Sequence, residues 1–244
     1  MAALERVINA TDGRERDATI VSGIDQHSPP EAKIGLFMRL FRGRDDLYAR
    51  RFESIKSGKS GYQPVCANEW ARGLCEKPRV SCRTCRQRRF LPLTTETVGE
   101  HLKGEDASGR FCVLGIYPLM PDEQCALVAA DFDGDHWQDD AAAVRDCARE
   151  MGFPPAVERS RSGQGVHLWW FFENPLPARL ARDFASSILT ATLERRPEIG
   201  LDSFDRLFPN QDTMPNGGFG NLIALPLQKH ARQVGNSVFV DDAY

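Results

Sequence analysis

Asp131-Phe132-Asp133 closes the apolar run Cys125–Ala130 and stands just before Gly134. Such a run reads as a buried strand, and residues two apart on a strand face the same way. The two carboxylates are then delivered side by side, and like charges that close repel unless a cation lies between them. A hard divalent ion such as Mg²⁺ takes oxygen ligands and is often held by one or two carboxylates plus substrate phosphates. The tripeptide therefore predicts metal-assisted chemistry on a phosphate. Asp-x-Asp also occurs in plain surface turns, and glycosyltransferases use it to hold a metal–nucleotide; the strand context, with Ala129 and Ala130 preceding, favours the metal reading.

Three other groups of residues can supply what the aspartates lack. Ser160-Arg161-Ser162-Gly163-Gln164-Gly165-Val166-His167 combines a tight turn with polar donors. Glycines let backbone approach a phosphate, and the exposed N–H groups of such turns form an anion nest. Ser162 and His167 add side-chain donors, and Arg159 and Arg161 add charge. The alternative is an ordinary glycine-rich hairpin with a core histidine. Asp202 and Asp205 lie in a polar stretch, with Asp205 expected to be packed because Phe204 and Leu207 flank it. A third acidic ligand would let two ions sit about 3.5–4 Å apart, as in-line phosphoryl displacement requires. Asp202 is the weaker candidate and can serve as a local cap. Cys66, Cys75, Cys82 and Cys85 have the spacing C-x8-C-x6-C-x2-C, which predicts a tetrahedral structural zinc site. A disulfide pair is the competing reading and needs an oxidising compartment. Cys112, Cys125 and Cys147 lie in apolar or helical surroundings and read as small core residues.

The elements that must position these groups follow from periodicity. Ser28-Pro29-Pro30-Glu31 reads as a helix start with Ser28 as N-cap, and Ile34, Phe37, Met38 and Phe41 continue at helical spacing, with Leu47, Tyr48 and Phe52 extending the helical region. Residues 55–93 hold too little apolar content for a core of their own and need a staple. From Gln124 the order is strand 124–131, helix 139–151, strand 156–160, turn 162–165, strand 166–172, helix 177–195 and strand 221–227, with a further strand at 237–240. This β-α-β-β-α-β order is the ferredoxin-like or RRM-like unit. In it the first and third strands are antiparallel neighbours, so Asp131 and Asp133 are expected beside Val166–His167, and the 197–220 loop, carrying Asp202, Asp205 and Asp212, is expected at the same end. The fold class is thus mixed α/β: a catalytic sheet, an N-terminal helical portion and a small zinc-binding insert. The division is a tail or linker over 1–27, the N-terminal region with the cysteine insert over 28–95, and the catalytic core over 96–244.

The bulk numbers agree. A chain of 244 residues, 41% hydrophobic, supports one large domain or two small ones. No apolar run is long enough to span a membrane and no secretory signal is seen, which points to a cytoplasmic protein. The net charge of −3 says little, but cations cluster over 39–59 and again over 77–89, where a phosphate backbone would suit them. A solvated helix face explains the first cluster equally well.

Together, Ala-Ala-Asp131-Phe-Asp133-Gly, Ser-Arg-Ser162-Gly-Gln-Gly-Val-His167 and Asp205-Arg-Leu-Phe-Pro-Asn-Gln211 resemble the three motifs of the archaeo-eukaryotic primase superfamily. The chain is most similar to the primase-polymerase domain of TOTE conflict systems and to CRISPR-associated primase-polymerases. Phe41-Arg-Gly-Arg44, Cys66-Ala-Asn-Glu-Trp70, Ile116-Tyr-Pro-Leu119, Gly217–Gln228 and Gly235–Phe239 extend the likeness from about Ser28 to the end. The resemblance implies DNA-directed primase/polymerase activity on nucleoside triphosphates, NTP or dNTP, over a single-stranded DNA template. It implies Mg²⁺ or Mn²⁺ on Asp131, Asp133 and Asp205, and triphosphate binding by His167, Ser162 and the turn backbone. The cysteine cluster with Zn²⁺ would help hold template or the initiating nucleotide. CRISPR, helicase or nuclease components are the implied partners. Two departures stand out. Bacterial end-joining polymerases of the superfamily often carry a lysine in the turn, where Gln164 and Gly165 stand here, so Arg159, Arg161 or Lys229 is expected to supply the charge. The chain also stops soon after Phe239, as a core cut from a larger protein would. Two rival readings are a non-catalytic module that stacks single-stranded bases on Trp169, Trp170, Phe171 and Phe172, and a template-independent nucleotidyltransferase or cyclase. Burial of half of those aromatics by strand alternation would count against the first rival.

Overall fold

The computed structural model describes residues 23–54 and 58–241. Residues 1–22 of the expected tail, and Lys56 of the first basic stretch, lie outside them.

The first helix, α1 (Pro30–Leu40), starts as expected with proline in its first turn, but Ser28 does not cap it. The Ser28 hydroxyl instead accepts from the Asp25 N–H, closing a turn upstream. The helix ends at Phe41, and the expected continuation is a strand: β1 (Ala49–Glu53) pairs antiparallel with β2 (Ser60–Pro64). After α2 (Thr95–Lys103) and β3 (Leu114–Ile116) comes the longer catalytic segment. It comprises β4 (Gln124–Asp133), α3 (Trp137–Glu150), β5 (Ala156–Arg159), β6 (Gly165–Pro177), α4 (Ala178–Arg195) and β7 (Phe204–Phe208). β8 (Ile223–Ala224), α5 (Lys229–Gln233) and β9 (Val238–Val240) complete the described chain.

The strands form two sheets, one ordered β2-β1-β3-β8 and the other β7-β4-β6-β5-β9. The second contains the ferredoxin-like unit, but its fourth strand is β7. The expected strand over 221–227 shrinks to β8 and belongs to the other sheet. The charged pair Asp205-Arg206 interrupts the apolar pattern of β7 and hides it from a periodicity reading.

Alternation along β4 and β6 divides the core in two. Val128, Ala130 and Phe132 with Val166, Leu168 and Trp170 face Ala141, Val144 and Ala148 of α3 and Ala181, Phe184 and Ile188 of α4. The other face, with Leu127, Ala129, Trp169 and Phe208, packs against Phe37, Phe41, Leu114, Ile116 and Ile223. Being covered on both sides, β4 reads as an unbroken apolar run. The aspartates at its end are where that run meets the rim of the inter-sheet space. Cys112, Cys125 and Cys147 are buried, as small core residues should be.

Candidate active site

Strand register assembles the site. Asp131 lies opposite His167, and Asp133 opposite Gly165. On the other side Asp131 lies opposite Arg206. Glu158 lies opposite His167, and Phe239 opposite Glu158. One row across five strands therefore runs Arg206, Asp131, His167, Glu158, Phe239, and cross-strand partners share a face. It is the face toward the first sheet, because Ala129 and Trp169, two residues along, belong to the core between the sheets.

Asp131 is 8% exposed, and its buried Oδ1 has no hydrogen-bond partner among the described residues. The Nε2 of His167 is 3.4 Å away, within ion-pair reach but without hydrogen-bond alignment. Burial pushes the Asp131 carboxyl up to about 6; His167 opposes this, while Asp133 and Asp205 add to it. Asp205 thus lies within electrostatic reach of Asp131, on strand β7 rather than in the expected 197–220 loop. A buried, crowded carboxylate whose Oδ1 receives no hydrogen bond is a donor of the chemistry that suits a hard divalent ion. The three carboxylates are not drawn into a closed cage, however. Among the described residues no group of three or more His, Cys, Asp or Glu is arranged to hold a metal ion.

Asp205 differs from expectation in its setting. It is exposed rather than packed, because the β4–β7 register shifts between Asp131 and Phe132 and turns it outward. Arg206 holds it, donating from Nε to Oδ2 at 2.6 Å and from Nη2 to Oδ1 at 3.2 Å. Asp202 is exposed at the bend before β7, and Asp212 pairs with Arg182 of α4, away from the row.

His167 is fixed by a residue that the sequence reading passed over. Its Nδ1 donates to Oε2 of Glu158 at 2.8 Å, and Trp169 Nε1 donates to the same oxygen at 3.0 Å. Burial lowers the imidazole pKa, but Glu158, then Asp131 and Asp133, outweigh it and raise His167 to about 9. Asp140 and Ser203 were also missed. The buried Asp140 carboxylate accepts from the Ser203 N–H at 3.1 Å and from its hydroxyl at 2.6 Å. The Ser203 carbonyl in turn accepts from the Asp133 N–H at 2.8 Å. This links the start of α3 and the entry to β7 to the second aspartate.

The turn after β5 is built as expected and sits beside Asp133. The Gly163 N–H donates to the Ser160 carbonyl, the Gln164 N–H donates to the Ser162 hydroxyl at 3.3 Å, and the Ser160 and Ser162 hydroxyls are 3.0 Å apart. A Cβ on Gly165 would fall 2.0 Å from Asp133 Oδ1, so the absent side chain makes room for that carboxylate. Arg161 lies by Tyr62 of β2, whose hydroxyl is raised in pKa by burial against the pull of Arg161 and Arg51. Arg159 is not brought to the aspartates. It alternates away from Glu158 and donates to the Gly235 carbonyl at 3.2 Å.

Cys66, Cys75, Cys82 and Cys85 are all free thiols lining one hollow with Glu69, Lys77 and Phe90. The Arg89 N–H donates to Cys66 Sγ at 3.3 Å, and burial raises the Cys82 thiol. In the first basic stretch Arg44, Arg50 and Arg51 are committed to Asp46, Asp106 and Glu53. In the second, Arg79, Arg83, Arg86, Arg88 and Arg89 are exposed around the cysteines. The base-stacking alternative loses its platform: Trp169 and Trp170 are 1% and 6% exposed, in different cores, and Phe171 and Phe172 follow them.

The site thus combines an antiparallel five-stranded sheet backed by helices with two aspartates on β4, a third on the neighbouring β7 and a histidine that follows a glycine turn. The family model for the TOTE conflict system, Archaeo-Eukaryotic Primase domain, matches residues 32–244, and the chain belongs to that family. Among solved structures it is similar to the polymerase domain from Mycobacterium tuberculosis ligase D in complex with DNA, at 14% identity and a TM-score of 0.47, over 86% of this chain and 78% of that one. No curated protein matches the chain. Among the described residues no helix is long and apolar enough to cross a membrane.

Proposed function

We propose that this protein is a template-dependent nucleotidyltransferase, a primase-polymerase that starts and extends strands from nucleoside triphosphates on single-stranded DNA. The observation that carries the reading is the placement of Asp131, Asp133 and His167 in adjoining register, with Asp205 bearing on the same buried carboxylate, whose Oδ1 receives no hydrogen bond. Asp131, Asp133 and Asp205 would hold two Mg²⁺ or Mn²⁺ ions. Bound there, the ions supply positive charge that eases loss of the attacking hydroxyl proton and neutralises the departing pyrophosphate.

The chain's own groups do the rest. Ser162 and the N–H groups of the 162–165 turn offer donors to the triphosphate. His167, held charged by Glu158, places a fixed cation on the phosphate side of Asp131. Gly165 leaves Asp133 free to turn toward the site. Tyr62 of the first sheet, its hydroxyl buried near Arg161 and Glu158, borders the same face. The exposed arginines of the cysteine segment would offer their charge to a phosphate backbone. Cys66, Cys75, Cys82 and Cys85 would bind Zn²⁺ as thiolates and tie that segment together.

The test is incorporation of labelled NTPs and dNTPs, run separately, on a circular single-stranded template with Mn²⁺. Products that depend on template, and vanish with Asp131→Ala plus Asp133→Ala, support the reading. Triphosphate consumption without template would instead indicate the cyclase-like reaction. Template binding that ignores the aspartates, without incorporation, would indicate a binding module.

A further inference from the structure

We propose that Glu158 is the positioning residue for His167, fixing which ring nitrogen faces the nucleotide. This rests on the nucleotidyltransferase reading of the same site. Glu158 is 2% exposed, a burial that a carboxylate tolerates only with strong partners. Both hydrogen bonds it receives, 2.8 Å from His167 Nδ1 and 3.0 Å from Trp169 Nε1, converge on one oxygen. A carboxylate can only accept, so Nδ1 of His167 must carry its proton toward Glu158. The ring is then turned with Nε2 toward Asp131, 3.4 Å from Oδ1. Trp169 serves as the second anchor: its indole is 1% exposed in the inter-sheet core and cannot swing away. The ring of His167 also meets the Trp169 ring edge-on, at 5.7 Å between centroids. Glu158 itself is on the row but farther from the aspartates than His167, since β6 separates β5 from β4. It therefore acts through the imidazole, and a buried core role alone would not require a charged residue here.

The prediction concerns how losses combine. For whole protein with Mn²⁺ and template, the KM for dATP should rise in the order wild type, E158Q, E158A, with E158A equal to H167A and kcat moving less. Loss of an orienting partner of this kind costs about 10–100-fold. E158Q keeps an acceptor oxygen without the charge, so it falls between. The double variant E158A/H167A should be no worse than H167A, because removing the orienter of an absent ring changes nothing further. A merely structural Glu158 would give independent losses that multiply. An independent reading comes from ¹⁵N-histidine NMR, where the His167 Nδ1 proton should be protected in wild type, weaker in E158Q and lost in E158A. Multiplying losses, wild-type KM in E158A, or a surviving Nδ1 proton would overturn the proposal. If wild-type protein incorporates no nucleotide, the function reading fails and the NMR series alone decides the role of Glu158. If E158A does not fold, E158Q decides: a KM and an Nδ1 signal identical to wild type would overturn it.

Discussion

A carboxylate oxygen buried without a hydrogen bond raises the free energy of the folded chain, and Asp131 Oδ1 is such a group, its ion pair with His167 offsetting burial only in part. Removing the charge while keeping the shape should therefore separate stability from activity. Asp131→Asn is expected to raise the metal-free unfolding free energy by about 1–3 kcal/mol, in line with a carboxyl pushed up to about 6. The same change should abolish incorporation. Thermal melts in chelator beside activity assays check both, and a destabilised Asn variant would contradict this account of Asp131. Gly165→Ala makes the opposite test. Its methyl would meet Asp133 Oδ1 and the Phe132 carbonyl, displacing both the carboxylate and the strand that carries it, so activity should fall at least tenfold, of the order expected for a small misplacement of a reacting group. A steady-state assay of that variant with unchanged kcat/KM would count against the role given to Asp133. At this scale the aspartates, the turn and His167 were legible because their types and spacing carry meaning locally. Glu158 was not, since its role depends on its cross-strand partner. The signal existed: Glu158 and His167 are equally far from the hairpin centre between Ser162 and Gly163.

At the scale of elements, the decisive piece is β7. Periodicity assigned the fourth strand to the apolar 221–227 stretch, because Asp205-Arg206 breaks the pattern of Phe204–Phe208. Pairing with β4 makes that short segment a strand, and pairing is not written in a five-residue window. Its entry is set by Asp140 through Ser203, which also receives the Asp133 N–H. Asp140→Ala leaves the Ser203 N–H buried without an acceptor, at a cost of about 1–3 kcal/mol. Incorporation should fall more than in Ser203→Ala, which removes only the hydroxyl and keeps the bond from the backbone. Measuring both variants by urea unfolding and by kcat tests this order; equal effects would show that the hydroxyl carries the link.

Across the whole molecule, the two sheets share one core, and His101 ties α2 into it. His101 is fully buried, with Nε2 donating to the Pro226 carbonyl at 2.8 Å and Nδ1 accepting from the Leu114 N–H at 3.1 Å. Only the neutral ring can do both, and burial lowers its pKa from 6.5 to about 4. Below pH 6.5 the unfolded chain takes up this proton and the folded chain does not. The stabilising contribution is therefore complete above pH 6.5 and is lost as pH falls toward 4, by up to about 3 kcal/mol. Urea unfolding at pH 7 and pH 4.5 should show a steeper loss in wild type than in His101→Gln; parallel losses would contradict it. The zinc site proposed for Cys66, Cys75, Cys82 and Cys85 carries its own test, because a segment short of apolar material would depend on such a staple. If that proposal holds, chelation releases zinc, raises proteolysis within 66–90 and leaves the sheet intact; purified protein without zinc, or proteolysis that chelator does not change, would contradict it. The mixed α/β class was readable from the β-α-β-β-α-β order, but the first sheet was not. Its strands are short, and two of them, β3 and β8, lie far apart in sequence. The central claim meets its most direct test in a crystal of the protein soaked with Mn²⁺ and a non-hydrolysable nucleoside triphosphate. Anomalous peaks touching Asp131, Asp133 and Asp205, with phosphate against the 162–165 turn and His167, are the predicted result. Manganese elsewhere, or Asp205 still bound to Arg206 with the triphosphate away from His167, would contradict it.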